Sequence, residues 1–399
     1  MAGRYGRSMT ADAAAGPLAD LLVLDLTRAL AGPHAAMMLA DQGARVIKVE
    51  SPTGDDSRGW GPPFVGPEDA RESTYFMSAN RNKESLVLDL KDEDDRELLA
   101  RLVERADVLM ENFRPGVMAR LGFADSRLHE LNPRLVVLSI TGFGHDGPEA
   151  TRAGYDQIAQ GEGGLMSLTG SEHPTKVGVP IADLCAGMYG AFGVMSALHE
   201  RERTGRGRIV RTSLLAGMVG VHAFQGTRWT VGGEVPRLAG DHHPSIAPYG
   251  MFATATAPVQ IACGSEGLWR AMCGAFGWDA EDSRFVTNRE RVAHRDALVE
   301  QIESRFAEAP AEHWLAELAE AGVPSGKVRS LDDVYEWDQT RSQGLLLEVD
   351  HATVGTLTLP GSPVRYDDNA HSGGRAEHLP PPTLDQHGAA IREWLDSGQ

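Results

Sequence analysis

The first fifty residues alternate short apolar runs with one segment of helical period, and this pattern constrains the fold more than any other feature. Residues 21–26 form an apolar run typical of a buried strand, and residues 45–50 alternate as a second strand. Between them, apolar residues recur at helical spacing from Gly32 to Gly43. Two strands joined by a helix through short connections predict a parallel sheet covered by helices, and therefore an α/β fold.

The same alternation continues through the first half of the chain. Strands are predicted at residues 85–90, 107–111, 135–140 and 208–213, with helices at 92–105, near 128–131 and at 184–203. In the last of these helices one apolar stripe is predicted to face the core. It consists of Leu184, Met188, Phe192, Met195 and Leu198.

A change of character near residue 225 divides the chain. With 399 residues, the protein exceeds the usual size of a single core. Gly232-Gly233, Pro236 and His242-His243-Pro244 mark an irregular crossing, followed by a separate α+β pattern. We expect a flexible leader at 1–17, a large domain beginning at 18–225, a small domain at 226–330, and a return to the large domain with the tail at 331–399.

Charge and cysteine content exclude several classes of protein. Lys and Arg number 38 against 56 Asp and Glu, a net charge of −18, which argues against a nucleic-acid partner. Cys185, Cys263 and Cys273 are widely spaced, so neither a zinc site nor a disulfide framework is indicated, and the cytoplasm is the expected location. No metal is expected, and no apolar run has the length of a membrane span.

Residues 142–147 match the glycine pattern GxGxxG after a predicted strand. A nicotinamide site needs a helix that begins within the motif, so that its N-terminus meets the pyrophosphate. Pro148 and a second glycine-interrupted segment follow instead. We therefore favour a plain glycine-rich loop and expect no nicotinamide cofactor.

Asp183 stands where a loop becomes a helix, and two interpretations are open. Aspartate is a preferred N-cap residue, so the position has an ordinary structural explanation. Alternatively, the helix N-terminus keeps the carboxylate ionised, and small neighbours such as Ala182, Ala186 and Gly187 leave room for a substrate. A carboxylate placed in this way is suited to covalent nucleophilic catalysis.

Two basic segments are candidates for phosphate contact. Arg81, Lys83 and Lys91 lie close together in an acidic protein, although solvated surface cations explain them equally well. The strand-to-helix turn at residues 111–116, with Arg120 beyond it, carries an aromatic ring and two arginines. It would suit an adenine and its phosphates, or be an ordinary βα loop.

Taken together, the segments of the chain resemble the family III CoA-transferases, which include formyl-CoA transferase and carnitine-CoA transferase. The segments that carry the resemblance are Val23-Leu24-Asp25-Leu26-Thr27, Ala31-Gly32-Pro33, residues 43–50, Asn82-Lys83, Leu88-Asp89-Leu90-Lys91, residues 111–116, Leu131-Asn132-Pro133, Gly142-Phe143-Gly144, residues 179–187, Thr204-Gly205-Arg206-Gly207, and Pro381-Pro382-Thr383-Leu384 with His387. The ordered set is more specific than any one motif.

The resemblance implies a fold, an assembly and a mechanism. It implies a Rossmann-like large domain from both chain ends, a smaller middle domain, and an interlinked homodimer. It implies an acyl-CoA:carboxylate CoA-transferase in which Asp183 is the nucleophile and an aspartyl-CoA thioester is the intermediate. It also implies coenzyme A contacts at Leu30, Ala31, Leu88, Asp89, Leu90, Lys91, Asn112, Phe113, Arg114, Arg120, Thr141, Gly142, Phe143 and Gly144.

Departures from the family pattern bear on the substrate. Leu30 stands where formyl-CoA transferase has a Gln that helps to hold its small substrate, and Ser51 and Thr141 replace a CoA-contacting Arg and a Lys. A larger or less polar acyl group than formate or oxalate is therefore expected.

The same superfamily contains α-methylacyl-CoA racemase, which is the alternative function. Racemisation needs two acid/base groups on opposite faces of the α-carbon, supplied in those enzymes by a Gly-His-Asp motif and a later Asp. This chain has Gly154-Tyr155-Asp156 at that place, and a phenol is a poor base at neutral pH. Transfer is therefore favoured over racemisation.

Overall fold

The computed structural model describes residues 16–366 and 371–397, so most of the expected leader lies outside the described residues. The chain forms two compact units. The first comprises the chain up to Leu165, Val177–Thr227 and the chain from Trp337 onward, and the second comprises Met166–Lys176 and Arg228–Glu336.

A parallel sheet forms the centre of the first unit. The strands are β1 (Leu22–Asp25), β2 (Arg45–Glu50), β3 (Phe64–Val65), β4 (Glu72–Ser73), β5 (Lys83–Val87), β6 (Val108–Glu111), β7 (Val136–Thr141) and β8 (Ile209–Ser213). Six of them lie in the order β5-β2-β1-β6-β7-β8, and β3 pairs with β4 in a separate antiparallel ribbon. All five pairings of the large sheet are parallel, as the sequence predicts for an α/β fold.

Helices cover both faces of this sheet. They are α1 (Ala31–Asp41), α2 (Thr74–Met77), α3 (Glu93–Arg105), α4 (Val117–Arg120), α5 (Asp125–Leu131), α6 (Asp156–Glu162), α7 (Ile181–Thr204), α8 (Leu214–Gly220) and α9 (Ala223–Thr230), the last of which crosses into the second unit. Strand residues alternate between two cores: Val23 packs with α1 and α7, whereas Leu24 packs with α3. Asp92 fixes the start of α3, because its carboxylate accepts the N–H groups of Asp94 and Asp95.

The packing of α7 differs from the sequence prediction. Met188, Phe192 and Met195 of the predicted core stripe are exposed, Phe192 by 72%. The buried face instead contains small residues, because α7 lies very close to α1: a Cβ added to Gly187 would stand 2.6 Å from the Ala31 carbonyl oxygen. The small residues that seemed to leave room for a substrate are therefore used for helix packing.

The second unit has its own core. Its antiparallel sheet contains β9 (Tyr249–Phe252), β10 (Val259–Ala262) and β11 (Ser325–Lys327), in the order β11-β10-β9. Its helices are α10 (Glu266–Phe276), α11 (Asn288–Ala293), α12 (Arg295–Phe306), α13 (Ala311–Glu320) and α14 (Leu331–Glu336). Phe306 stacks on Trp314 with ring centroids 5.0 Å apart, and both rings are fully buried.

The last part of the chain returns to the first unit. It contains α15 (Asp338–Ser342), the hairpin of β12 (Leu346–His351) and β13 (Gly355–Pro360), and α16 (Gly388–Asp396). Asn82, which adopts φ 61°, anchors the return, because its side-chain oxygen accepts the Leu379 N–H at 2.6 Å and its own N–H donates to the Leu379 carbonyl at 3.0 Å.

Candidate active site

A cavity of about 650 Å³ opens at the carboxyl ends of the central strands of the first unit. The loops that follow β1 and β6, together with the end of β7, meet there, as expected for ligand sites of parallel sheets. The structure brings eight of the predicted site residues onto its lining: Leu30, Ala31, Asn112, Phe113, Arg114, Thr141, Gly142 and Asp183.

Seven other predicted coenzyme A contacts do not line this cavity: Leu88, Asp89, Leu90, Lys91, Arg120, Phe143 and Gly144. Residues 88–91 follow β5, which lies at the sheet edge, two strands from β1. Leu88 is buried in the core on the α3 side. Phe143 packs 4.7 Å below the Arg152 guanidinium, and the Gly144 N–H donates to Thr141 Oγ1 at 3.0 Å.

The loop at residues 28–31 is held from two sides. Ala29 has φ 65°, a strained value for a residue with a Cβ, and its N–H donates to Asp55 Oδ1 at 3.1 Å. Asn112 fixes Arg28, because its side-chain oxygen accepts the Arg28 N–H at 2.9 Å and its amide nitrogen donates to the Arg28 carbonyl at 2.8 Å. The Asn112 amide therefore joins the loops after β1 and β6.

A buried charge network supports this loop. Lys48 pairs with Asp55 and Lys83 pairs with Asp25, each at 2.8 Å with both side chains fully buried. Lys48 Nζ also donates to the Thr27 carbonyl at 2.9 Å, directly before the loop. We call Asp25, Lys48, Asp55 and Lys83 the paired network.

Two residues suggested as phosphate ligands are thus used elsewhere. Lys83 belongs to the paired network, where burial lowers its pKa to about 8 although the Asp25 charge opposes this shift. Arg81 is buried, and its guanidinium binds both carboxylate oxygens of Asp41, at 2.9 and 2.5 Å. Neither cation is available for a phosphate, because both are desolvated and paired within the fold.

Asp183 lies in the first turn of α7, not at its N-cap. The N-cap is Pro180, and no side chain of that residue caps the helix. Burial, together with the negative charge of Asp156, raises the pKa of Asp183 to about 7. The expectation that the helix N-terminus keeps this carboxylate ionised is therefore wrong, because desolvation and a like charge outweigh the helix dipole.

The helix N-terminus is instead used by a second carboxylate. The Ala182 N–H donates to Asp156 Oδ1 at 2.8 Å, and Gln160 Nε2 donates to Asp156 Oδ2 at 2.8 Å. Asp156 lines the same cavity as Asp183. The sequence placed Asp156 only in a motif compared with racemases, and no local signal showed that it would cap a helix 25 residues away.

Several aromatic and charged side chains on the cavity were not predicted as site residues. Trp60 and Tyr75 meet edge to face with centroids 4.9 Å apart. Burial, with the charges of Asp183 and Asp156, raises the pKa of Tyr75 to about 12. Arg28 lies 5.5 Å from the Phe113 ring centroid. Only the short apolar-aromatic spacing around Trp60 and Tyr75 hinted at them.

A neighbouring cavity of about 420 Å³ shares Phe113 and Arg114 with the first. On its wall Glu111 accepts the Phe113 N–H at 2.9 Å and a hydrogen bond from Ser139, whose hydroxyl lies 2.7 Å from His145 Nε2. Burial raises the pKa of Glu111. This chain of contacts ties the loop after β6 to the glycine-rich loop after β7.

The glycine-rich loop has no features of a dinucleotide site. No helix begins between Gly142 and Tyr155, so no helix N-terminus meets residues 142–147. Farther along, the N–H groups of Gly163 and Gly164 donate to the carbonyls of Ala159 and Gly161. Within residues 16–366 and 371–397, no group of three or more His, Cys, Asp or Glu side chains is arranged to hold a metal ion.

Comparisons with known proteins agree with this site. The sequence model described as CoA-transferase family III matches residues 18–388. The chain is 41% identical to acetyl-CoA:oxalate CoA-transferase of Acetobacter aceti over 95% of both chains, and 39% identical to succinyl-CoA:glutarate CoA-transferase of Mus musculus over 93% of this chain and 84% of that one.

A solved structure gives the same result for the fold. A CAIB/BAIF family protein from Brucella suis superposes with a TM-score of 0.84 and 42% identity, covering 96% of this chain and all of that one. The resemblance seen in the sequence motifs is thereby confirmed, as is the predicted activity, transfer of coenzyme A between an acyl-CoA and a carboxylate. The chain belongs to CoA-transferase family III.

Proposed function

We propose that Asp183 is the nucleophile of the transfer and that the reaction passes through an aspartyl-CoA thioester. The position of Asp183 carries this proposal: it is half-buried on a cavity at the carboxyl ends of β1, β6 and β7. Its pKa of about 7 supports the assignment, because a carboxylate with weakened acidity is a stronger nucleophile once ionised.

The proposed chemistry balances without a net proton. The ionised Asp183 oxygen attacks the thioester carbonyl carbon of the donor, the C–S bond breaks, and a mixed anhydride and CoA thiolate result. The thiolate then attacks the Asp183 carbonyl carbon and releases the donor carboxylate. The acceptor carboxylate attacks the resulting aspartyl-CoA thioester. Thiolate attack on the acceptor carbonyl then gives the new acyl-CoA and regenerates Asp183.

We place the thioester end of coenzyme A against the lining formed by Leu30, Ala31, Phe113, Arg114, Thr141 and Gly142. Asn112 acts through the Arg28 backbone, since both of its amide groups are bonded there. Leu88, Asp89, Leu90, Lys91 and Arg120 stay proposed contacts for the nucleotide end, reached only if the cofactor extends beyond the cavity. Phe143 and Gly144 support Thr141 and Arg152 from behind.

We propose a short dicarboxylate as one of the two acids. The relatives described above are named for oxalate, succinate and glutarate. Arg28, Arg114 and Arg152 line the cavity and supply guanidinium groups that bind carboxylates well. The apolar Leu30 side chain stays the basis for predicting a larger acyl group than formate.

We further propose the interlinked homodimer, with a Rossmann-like large domain built from both chain ends and a smaller middle domain. In the first unit, α7 exposes Met188, Tyr189, Phe192 and Met195, a large apolar surface for a free protomer. This helix also meets the length and hydropathy of a membrane span, with half of that window buried. A partner protomer would cover the exposed half.

The assembly proposal has a direct test. Phe192→Asp places a charge on this surface and should yield monomers in light scattering, whereas wild-type protein should have twice the protomer mass. A wild-type monomer at micromolar concentration would contradict the dimer. A cytoplasmic location is in keeping with Cys185, Cys263 and Cys273, which are all unbridged thiols.

Covalent capture tests the nucleophile. Wild-type enzyme incubated with succinyl-CoA and hydroxylamine should carry a hydroxamate at Asp183, identified by peptide mass spectrometry. A modification at another carboxylate would reject Asp183. In deuterated water a 2-methylacyl-CoA should show no α-deuterium exchange, which separates transfer from racemisation.

A further inference from the structure

Asp156 is fixed more firmly than a cavity-lining carboxylate needs to be. It is the first residue of α6, and one of its oxygens accepts the Ala182 N–H of α7. The other accepts from Gln160, which is fully buried and whose own oxygen accepts the Val177 N–H at 2.8 Å. The Asp156 carboxylate thus joins α6 to the first turn of α7, one residue before Asp183.

This contact replaces the missing cap of α7. Pro180 has no side-chain hydrogen-bonding group, so the first turn of α7 depends on Asp156 for a side-chain acceptor. An anion at a helix N-terminus is favoured by the helix dipole. The favourable electrostatic position of this site is therefore occupied by Asp156, and Asp183 lies beside it.

The other charged groups on the cavity do not remove this conflict. Tyr75 of α2 is neutral at physiological pH, because burial and the two carboxylates raise its pKa to about 12. Arg152 forms ion pairs with Glu149 and Glu162, and Arg28 lies against the Phe113 ring. Asp56 adds a further negative charge, and Arg114 lies on the loop after β6.

We propose that Asp156 is a positioning residue of the transfer reaction: it fixes the first turn of α7 and opposes the charge of Asp183, so that esterification of Asp183 relieves the repulsion. The inference rests on the proposed role of Asp183 as nucleophile. In the anhydride and in the aspartyl-CoA thioester Asp183 carries no charge. The repulsion exists in the free enzyme alone, so it shifts the equilibrium toward the covalent states.

Uncharged capping variants test this role. Asp156→Asn and Asp156→Ser both keep an oxygen that can accept the Ala182 N–H, and both remove the charge. Each should move the acid limb of kcat/KM to lower pH by about one unit, because Asp183 then ionises more readily. Each should also lower the ratio of aspartyl-CoA thioester to free enzyme about tenfold, measured by intact-protein mass spectrometry at fixed succinyl-CoA and succinate.

The controls separate charge from structure. Asp56→Asn removes a carboxylate from the same cavity without contact to α7, and it should leave the acid limb in place. Asp156→Glu keeps the charge, and its acid limb should stay near that of the wild type while kcat falls. If Asp156→Asn or Asp156→Ser loses turnover with the acid limb and thioester ratio unmoved, Asp156 is merely structural and the proposal is overturned.

The outcomes also distinguish this inference from the proposed function. If wild-type enzyme forms no adduct on Asp183, both fail together. If the adduct forms normally and the uncharged variants behave as wild type, Asp183 stays the nucleophile and only the role of Asp156 is rejected.

Discussion

Two charged clusters on either side of the cavity are built on opposite principles. In the paired network each lysine meets an aspartate at 2.8 Å, and all four side chains are fully buried. At the start of α7, two half-buried carboxylates, Asp156 and Asp183, lie beside each other. The network has opposite charges and many hydrogen bonds, whereas the carboxylate pair has like charges.

The difference separates a supporting role from a chemical one. Buried ions are tolerated when partners and hydrogen bonds replace water, and the paired network meets this condition while holding the 28–31 loop. The carboxylate pair lacks such compensation, and the pKa of Asp183 rises accordingly. Perturbed groups of this kind cluster at functional sites.

Removing the nucleophile should have the largest effect on activity. We expect Asp183→Asn to lower kcat by about 10⁴-fold or more, because neither covalent intermediate can form. The measurement is steady-state transfer from succinyl-CoA to a dicarboxylate, with hydroxylamine capture as a second readout. A variant that kept wild-type turnover would sink the assignment.

The same substitution should make the fold more stable, unlike any change to the paired network. The pKa of Asp183 is about 7 in the folded protein against 3.8 for an ordinary Asp, so wild-type stability falls as pH rises from 3.8 to about 7. Asp183→Asn lacks this titration. Its advantage in unfolding free energy should grow across that window to an upper bound of about 4 kcal/mol. Denaturation at pH 4 and pH 8 measures the difference.

Breaking the paired network should have the opposite result. Lys83→Met leaves Asp25 buried without its closest cation, and we expect a loss of about 3–5 kcal/mol in unfolding free energy. Arg71→Met is the control, since it breaks the exposed Arg71–Glu68 pair and should cost less than about 1 kcal/mol. Equal losses in the two variants would mean that the network adds nothing to stability.

Much of the sheet was predictable because strand and helix periods are local properties. Strand β2 occupies the predicted residues 45–50, and α3 begins one residue after its predicted start, where Asp92 caps it. The α7 stripe was wrong for a physical reason. That helix is apolar on several sides, and hydropathy favours the large Phe192, whereas close packing against α1 selects Gly187 for the buried side.

The site was predictable in part for the same reason. Asp183 and the loop after β6 have recognisable motifs, and both reach the cavity. Lys83 was read as a possible phosphate ligand, because sequence does not show that its nitrogen is buried against Asp25. The contact of Asp156 with the Ala182 N–H joins residues 26 positions apart, and only the tertiary fold brings them together.

The pH dependence of turnover sharpens the contrast between the two clusters. Protonated Asp183 cannot attack, and its pKa is about 7, so kcat/KM should fall about tenfold for each pH unit below 7. The paired network should not produce this limb, because the pKa values of Asp25 and Asp55 are lowered. The measurement is the pH profile of kcat/KM from pH 5 to 9. An acid limb near pH 4 would show an unperturbed nucleophile.

The smallest effect expected is on the loop that the paired network supports. Asn112→Ala removes both hydrogen bonds to the Arg28 backbone, so the cavity wall loosens without loss of a reacting group. We expect KM for the acyl-CoA to rise about tenfold with kcat nearly unchanged. Asn132→Ala is the matched control, because Asn132 makes similar bonds to the Val103 and Ala106 carbonyls away from the cavity. Its stability should fall while its KM stays at the wild-type value. The same rise in KM for both variants would mean that general destabilisation, and not the Arg28 anchor, controls binding.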